Sequence, residues 1–198
     1  KFDEEVARRF RNEALSNIPD YQKVINLTLD ILKNEGCESN IVDVGSALGE
    51  TVNALITSGF KNVWGAESSQ AMIDASMHKS KIILSETFPT TVTWNAVIIN
   101  WTLHFIKSRK EYLSDVFNGL SQNGILILTD KMDSNLEENA QYVQFKIDNG
   151  MSIEQIKVKN DAIAGVLTTK PLKWYVDTLS EIGFTQIEVV NTRFMFNT

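Results

Sequence analysis

The chain has 198 residues, 43% of them hydrophobic and 22% charged, which supports one packed domain and excludes disorder. Its 19 Lys+Arg against 25 Asp+Glu give a formal charge of -6, which excludes a broad basic surface for duplex nucleic acid. The apolar runs at 96–99 and 125–128 are too short to span a bilayer, and the lone Cys37 excludes a disulfide framework and points to a reducing, cytoplasmic setting. The sequence starts at Lys1, so residues before it are expected, and the N-terminal segment does not read as a signal peptide.

Two hydrophobic periods alternate along the chain. Residues 2–17 and 20–34 read as helices, the second with Val24, Leu27, Ile31 and Leu32 on one face and Gly36 as its stop. A β-rich run at 41–45 leads into a helix over about 50–58 that ends at Gly59. A strand at 63–67 and a helix over 70–79 come next, then strands at 81–85 and 95–100. The helix expected over about 109–120 puts Tyr112, Leu113, Val116, Phe117 and Leu120 on one face, and Asn123-Gly124 turns the chain into a strand at 125–129. A long polar helix is expected over about 136–164. Pro171 opens a last helix stopped by Gly183, and strands at 186–190 and 193–196 close the chain as a hairpin. This alternation predicts an α/β fold with a mostly parallel sheet covered on both faces and an antiparallel C-terminal hairpin. Ligands bind such sheets at the C-terminal ends of the strands, where the strand order reverses.

The first strand runs through Asp43 into Gly45-Ser46-Ala47-Leu48-Gly49. The two glycines permit a tight turn and let a ligand lie against the backbone. Glu67 ends the second strand, where a carboxylate can accept both hydroxyls of a ribose. A dinucleotide site would use G-x-G-x-x-G, but Ala47 takes the place of the middle glycine and Glu50 puts negative charge where a pyrophosphate would sit. The turn therefore suits a cationic, phosphate-free nucleoside. S-adenosylmethionine (SAM) qualifies, with its amino-acid end along the turn and its ribose at Glu67.

The segment from Asp43 to Gly49, Glu67-Ser68-Ser69-Gln70-Ala71-Met72-Ile73, Asn100-Trp101-Thr102-Leu103-His104-Phe105-Ile106 and the segment from Leu120 to Leu128 resemble the successive SAM-binding motifs of class I methyltransferases. Phe2-Asp3-Glu4-Glu5-Val6-Ala7, Ile18-Pro19-Asp20-Tyr21, Thr129-Asp130-Lys131, Phe145-Lys146, Asn149-Gly150, Phe194 and Phe196 extend the resemblance to the carboxy-SAM synthase family, which acts in wobble-uridine modification of tRNA. That resemblance implies a Rossmann-like class I methyltransferase fold with a seven-stranded sheet in one SAM-binding domain. Residues 1–37 would be lid helices and 38–198 the core, with a helical insertion at about 136–164, and the protein would be a homodimer. In that family SAM and prephenate give carboxy-SAM, whose sulfonium methyl has gained a carboxylate. By position in that family, Gly45, Ser46 and Gly49 would line the methionine end, Glu67 would hold the ribose and Glu86 would reach the adenine amine. Asn100 would sit beside the sulfonium and Tyr21 would close the site from the lid, while Asp43 and Ser68 belong to the same binding motifs.

The chain departs from that family at three places. Asn160, flanked by Lys157, Lys159 and Asp161, stands where the family has an arginine that pairs with the product's carboxylate. Asparagine has neither charge nor bidentate fork, so Lys159 and Asn160 are the candidates for substrate binding. His104 replaces a glutamine and Arg193 a cysteine.

His104 and Asn100 are the catalytic candidates. An imidazole near the mouth of the site could take a proton from an acceptor, and its other reading is a histidine hydrogen-bonded at a strand–helix junction. Asp130 could polarise an acceptor but reads first as a helix cap or a solvated carboxylate, and His78 as a surface residue. Trp101, Tyr142, Phe145, Trp174 and Tyr175 could form an aromatic acceptor pocket, with Trp174 or Tyr175 expected in the core. No cluster has metal-ligand spacing. The leading expectation is methyl transfer from SAM to a small-molecule acceptor, which needs alignment and exclusion of water more than side-chain chemistry. The alternatives are carboxy-SAM synthesis and a catalytically silent SAM-binding protein; the bound cofactor is expected to be SAM, or else carboxy-SAM or S-adenosylhomocysteine.

Overall fold

The computed structural model describes residues 3–198; Lys1 and Phe2, which open the first expected helix and the first family-like segment, lie outside the described residues. Helix α1 (Glu4–Asn17) is capped by Asp3, whose side chain accepts from the Val6 N–H at 3.0 Å. Helix α2 (Tyr21–Leu32) begins after Asp20, which sits in the left-handed region. The core then runs β1 (Ile41–Val44), α3 (Glu50–Thr57), β2 (Val63–Glu67), α4 (Gln70–Ala75), β3 (Ile82–Leu84), β4 (Trp94–Asn100), α5 (Arg109–Gly119) and β5 (Leu120–Lys131). Helices α6 (Leu136–Asp148), α7 (Ile153–Ile163) and α8 (Leu172–Ile182) precede the short strands β6 (Thr192–Arg193) and β7 (Phe196–Asn197).

The seven strands lie in the order β3-β2-β1-β4-β5-β7-β6. The first five are parallel, and β7 runs antiparallel to both β5 and β6. Central strand β1 is apolar on both faces apart from Asp43 near its C-terminal end, because both faces are covered. Val42 and Val44 join Val97, Ile99, Leu113, Val116 and Tyr175 on one side. Ile41 joins Ala96, Ile98, Val52, Leu55 and Leu32 on the other. The strand order reverses between β1 and β4, so the crevice at their C-terminal ends is where this topology puts a ligand.

Four expectations change in detail. The helix read over 136–164 is two helices: Gly150 after Asn149 takes φ +90, and Ser152 and Gln155 form a capping box that starts α7 afresh. The stretch 186–190 is not a strand, since Gln186 is left-handed at φ 55, and the hairpin shrinks to Thr192–Arg193 against Phe196–Asn197. The helix read over 70–79 stops at Ala75. Asn123-Gly124 lies within β5 as an irregularity, with Trp94 opposite Leu120 and Ala96 opposite Ile125.

Helices α1 and α2 fold over the crevice, and α1 is tied to α6 and α7. The Tyr142 hydroxyl donates to the Asn17 carbonyl at 2.7 Å, and Lys159 meets Glu13 at 2.7 Å. Ala14, Tyr21 and Ile25 form their own apolar cluster, with Phe10, Ile18 and Trp101 against it.

Candidate active site

The crevice is a cavity of about 760 Å³, within the range of small-molecule sites. Its first wall is the turn after β1. Gly45, Ala47 and Gly49 all have positive φ, at 70, 47 and 77°. A Cβ on Gly45 would lie 2.1 Å from the Thr102 hydroxyl, so the loop after β4 presses directly on the turn. The N–H groups of Gly45 and Ser46 donate to the Ala66 carbonyl at 2.8 and 3.2 Å, fixing the turn to the end of β2. Glu67 is buried there, and its two carboxylate oxygens accept from the N–H groups of Ala47 and Ser69, each at 2.9 Å. Each oxygen keeps a further lone pair for a ribose hydroxyl. Asp43, also buried, has its carboxyl pushed up to about 8, first by burial and then by the charge of Glu67. A cation bound beside it would relieve both effects.

The mouth is closed by the N-terminal helices. The Tyr21 hydroxyl donates to Glu50 at 2.5 Å, Arg11 pairs with the other Glu50 oxygen at 3.0 Å, and the Tyr21 ring stacks on Trp101 at 4.7 Å. Burial and the bond to Glu50 raise the Tyr21 hydroxyl's pKa, so it stays a donor. At the end of β4, Asn100 is 6% exposed, and both its amide atoms are buried without a partner among the described residues. The indole N–H of Trp101 is in the same condition. Buried polar groups are normally hydrogen-bonded, so these atoms mark where a ligand would supply the partners.

The far wall is basic. Lys131 on β5, Lys146 on α6 and Lys159 on α7 all line it beside Tyr142. The Lys146 ammonium lies 4.3 Å and the Lys131 ammonium 5.0 Å from the centre of the Tyr142 ring. Burial holds Lys131 below the usual lysine range; Lys146 is held down to about 8 by burial, then by the charges of Lys131 and Lys159. Among the described residues, Lys159 is the one of the three that pairs with a carboxylate, that of Glu13.

Under the wall a buried chain runs from His104 to α8. The His104 Nδ1 bonds one oxygen of Asp130, and the other oxygen accepts from the Tyr175 hydroxyl at 2.6 Å. Asp130 has no exposed surface. It is therefore neither a cap nor solvated, as the sequence suggested, because the pleat of β5 turns it into the core while its neighbour Lys131 faces the cavity.

The structure brings together Tyr21, Asp43, Gly45, Ser46, Glu67, Ser68, Glu86, Asn100, His104 and Lys159 around the cavity, with Ser68 and Glu86 at its exposed edge. Two predicted residues stay outside. Gly49 caps α3, and a Cβ there would meet the Ser76 hydroxyl at 2.8 Å, so it shapes the turn without lining the cavity. Asn160 is exposed on α7, because one residue past Lys159 the helix has rotated about 100° away from the inner face of Ile156 and Ile163. Lys157 is exposed as well. Of the aromatic candidates, Trp101 and Tyr142 line the cavity, Phe145 packs beside Tyr142, Trp174 is half-buried and Tyr175 is core. Sequence reasoning missed Lys131 and Lys146 as site residues; their signal was their place in the family-like segments 129–131 and 145–146.

A sheet in this order, with its last strands antiparallel and a glycine turn facing a strand-end carboxylate, defines the class I SAM-dependent methyltransferase fold. A solved Methanococcus maripaludis protein assigned to the S-adenosyl-L-methionine-dependent methyltransferases superposes with a TM-score of 0.66 at 14% identity, covering 100% of this chain and 92% of that one. The plantazolicin methyltransferase, solved with S-adenosylhomocysteine, superposes with a TM-score of 0.58 at 14% identity, covering 90% of this chain and 75% of its own. No family model matches the chain. Carboxy-S-adenosyl-L-methionine synthases of Helicobacter hepaticus and Pasteurella multocida are 31% and 32% identical to it, over 96% and 95% of this chain and 89% and 87% of theirs. The chain belongs to the carboxy-S-adenosyl-L-methionine synthase family.

Proposed function

We propose that the chain is a SAM-dependent transferase that makes carboxy-SAM from SAM and an anionic carboxyl donor, which the family resemblance makes prephenate. The observation that carries this reading is the division of charge within one cavity, with Asp43 and Glu67 at one end and Lys131, Lys146 and Lys159 at the other. The buried acids and the unpartnered Asn100 amide fit a cationic nucleoside. Glu67 would accept the ribose hydroxyls with Ser68 beside it, and Asp43 and Ser46 would face the methionine end. Asn100 would sit at the sulfonium, Glu86 at the adenine and Tyr21 over the mouth, with residues 3–37 as the lid.

When bound, SAM supplies a methyl carbon made electron-poor by the sulfonium. The lysines would hold the donor's carboxylates in place of the family's arginine, with Lys159 rather than Asn160 in the helix position. As the donor ring becomes aromatic, it sheds its ring carboxyl and hydroxyl to leave phenylpyruvate. The carboxyl replaces one hydrogen of the methyl group, and that proton leaves with the hydroxide as water.

Methyl transfer to a small-molecule acceptor is the second reading, favoured by His104, which reaches the same cavity with Asp130 behind it. No helix among the described residues is long and apolar enough to cross a membrane. The exposed Leu136, Ile153, Val158 and Val166 around α6 and α7 support a homodimer, which sedimentation would test.

The deciding experiment is mass spectrometry of the small molecules released on denaturing the purified protein, repeated after incubation with SAM and prephenate. Carboxy-SAM with phenylpyruvate is expected. S-adenosylhomocysteine without carboxy-SAM would move the assignment to methyl transfer. Bound SAM that is never converted would make the chain a silent binder, and failure to hold any SAM would overturn the transferase reading.

A further inference from the structure

We propose that His104 is the base that takes a proton from the sulfonium methyl, with Asp130 and Tyr175 as positioning residues; this rests on the carboxy-SAM reading above. The argument starts from Asp130. Its carboxylate has no exposed surface, one oxygen is bound to His104 Nδ1, and the other accepts from the Tyr175 hydroxyl at 2.6 Å. A carboxylate can only accept, so Nδ1 carries a proton, and in the neutral ring Nε2 then keeps its lone pair. Nε2 has no hydrogen-bond partner among the described residues, and His104 lines the same cavity as Asn100.

The ring is held from the backbone side too. The His104 carbonyl accepts from the Thr168 N–H at 3.1 Å and from Arg109 at 3.2 Å, and the ring meets Phe105 edge-on at 4.4 Å. A base fixed in one tautomer and one orientation, with a buried carboxylate behind it, is an arrangement suited to proton removal.

SAM is a substrate in this step, since it becomes the product. His104 Nε2 receives the proton while the C–H electron pair stays on the methyl carbon, and Asp130 stabilises the resulting imidazolium. That pair forms the new carbon–carbon bond to the carbon dioxide shed by the donor. The proton on His104 then joins the hydroxide that the donor ring expels, giving water and a neutral His104.

The test needs no carboxyl donor. The intact protein is mixed with SAM in deuterium oxide, and deuterium entering the S-methyl group is followed by mass spectrometry while calorimetry measures SAM affinity. We expect exchange about 10-fold or more above that of SAM alone. His104→Gln should return exchange to the background while SAM affinity stays within about 3-fold. Tyr175→Phe should slow exchange about 3-fold and Asp130→Asn about 10-fold, losses that a merely structural role would not produce once SAM binding is matched. The chain has two histidines, so nitrogen NMR of labelled protein, with His78→Gln for assignment, reads the tautomer directly. An Nε2–H tautomer, background exchange with SAM bound, or full exchange in His104→Gln would each overturn the proposal and leave the SAM reading standing. Failure to bind SAM would overturn both.

Discussion

The two ends of the cavity are built by opposite means. The end at β1 and β2 is backbone: three positive-φ residues in one turn, two N–H groups on the Ala66 carbonyl and two more on Glu67. The end under α6 and α7 is side chain: three lysines from three elements around one tyrosine ring. Backbone gives position, because peptide groups in a packed turn cannot swing. Buried side chains give charge, held against its own solvation, as the opposed displacements of Asp43 and Lys146 to about 8 record. Each end would return toward ordinary ionisation if a ligand of opposite charge arrived, so the cavity is preset for a cation at one end and an anion at the other.

The largest effect should come from breaking the backbone end. Gly45→Ala places a Cβ against Thr102 at a φ of +70° and should cost about 3 kcal/mol, seen as a fall in melting temperature with loss of SAM binding. Adding Thr102→Ala should recover part of the stability, because the clash goes but the backbone strain remains. Next comes Glu67→Ala, which leaves the Ala47 and Ser69 N–H groups without their acceptor and removes the carboxylate proposed to hold the ribose. SAM affinity should fall about 100-fold, or about 2.7 kcal/mol, by calorimetry. Either substitution leaving SAM affinity unchanged would break the contrast between the two ends.

The basic end should respond differently. Lys146→Met should raise the KM of the carboxyl donor about 30-fold, about 2 kcal/mol, with little change in the Kd of SAM. It should also stabilise the free protein, because a buried cation is removed. The pH dependence has a definite sign. The Lys146 pKa drops from 10.5 in the unfolded chain to about 8 when folded, so between those values the unfolded chain holds more protons and stability rises with pH. Donor binding runs the other way, weakening as pH rises through about 8 and the ammonium is lost. Both trends should vanish in Lys146→Met.

The same contrast decides what the sequence could show. The turn from Asp43 to Gly49 and the carboxylate of Glu67 are local patterns of strand, turn and helix, so they were readable without the fold. His104 was readable as a histidine at the mouth, but its partner chain was not, because Tyr175 lies 45 residues beyond Asp130. Lys131 and Lys146 were not readable as site residues, since a lysine on a polar segment looks the same solvated or buried. Lys159 and Asn160 show the limit most sharply: they are neighbours in sequence, and only the phase of α7, reset at Gly150 and Ser152, decides which one faces the cavity.

The smallest predicted effect on SAM binding comes through Asp43. Its carboxyl, displaced from 3.8 to about 8, holds a proton near neutral pH in the free protein that the unfolded chain has already lost. The folded state therefore gains protons relative to the unfolded one between those values, and this group's contribution to stability falls as pH rises through that window. A bound sulfonium or ammonium draws the carboxyl back down, so SAM binding at pH 7 should release a fraction of a proton and strengthen as pH rises toward 8. Calorimetry in buffers of different ionisation enthalpy reads that release directly. Asp43→Asn should abolish the buffer dependence and weaken SAM binding about 5-fold, well short of Glu67→Ala, because Asp43 supplies only charge while Glu67 is also tied into the backbone of the turn. An unchanged buffer dependence in Asp43→Asn would place the cation elsewhere in the cavity.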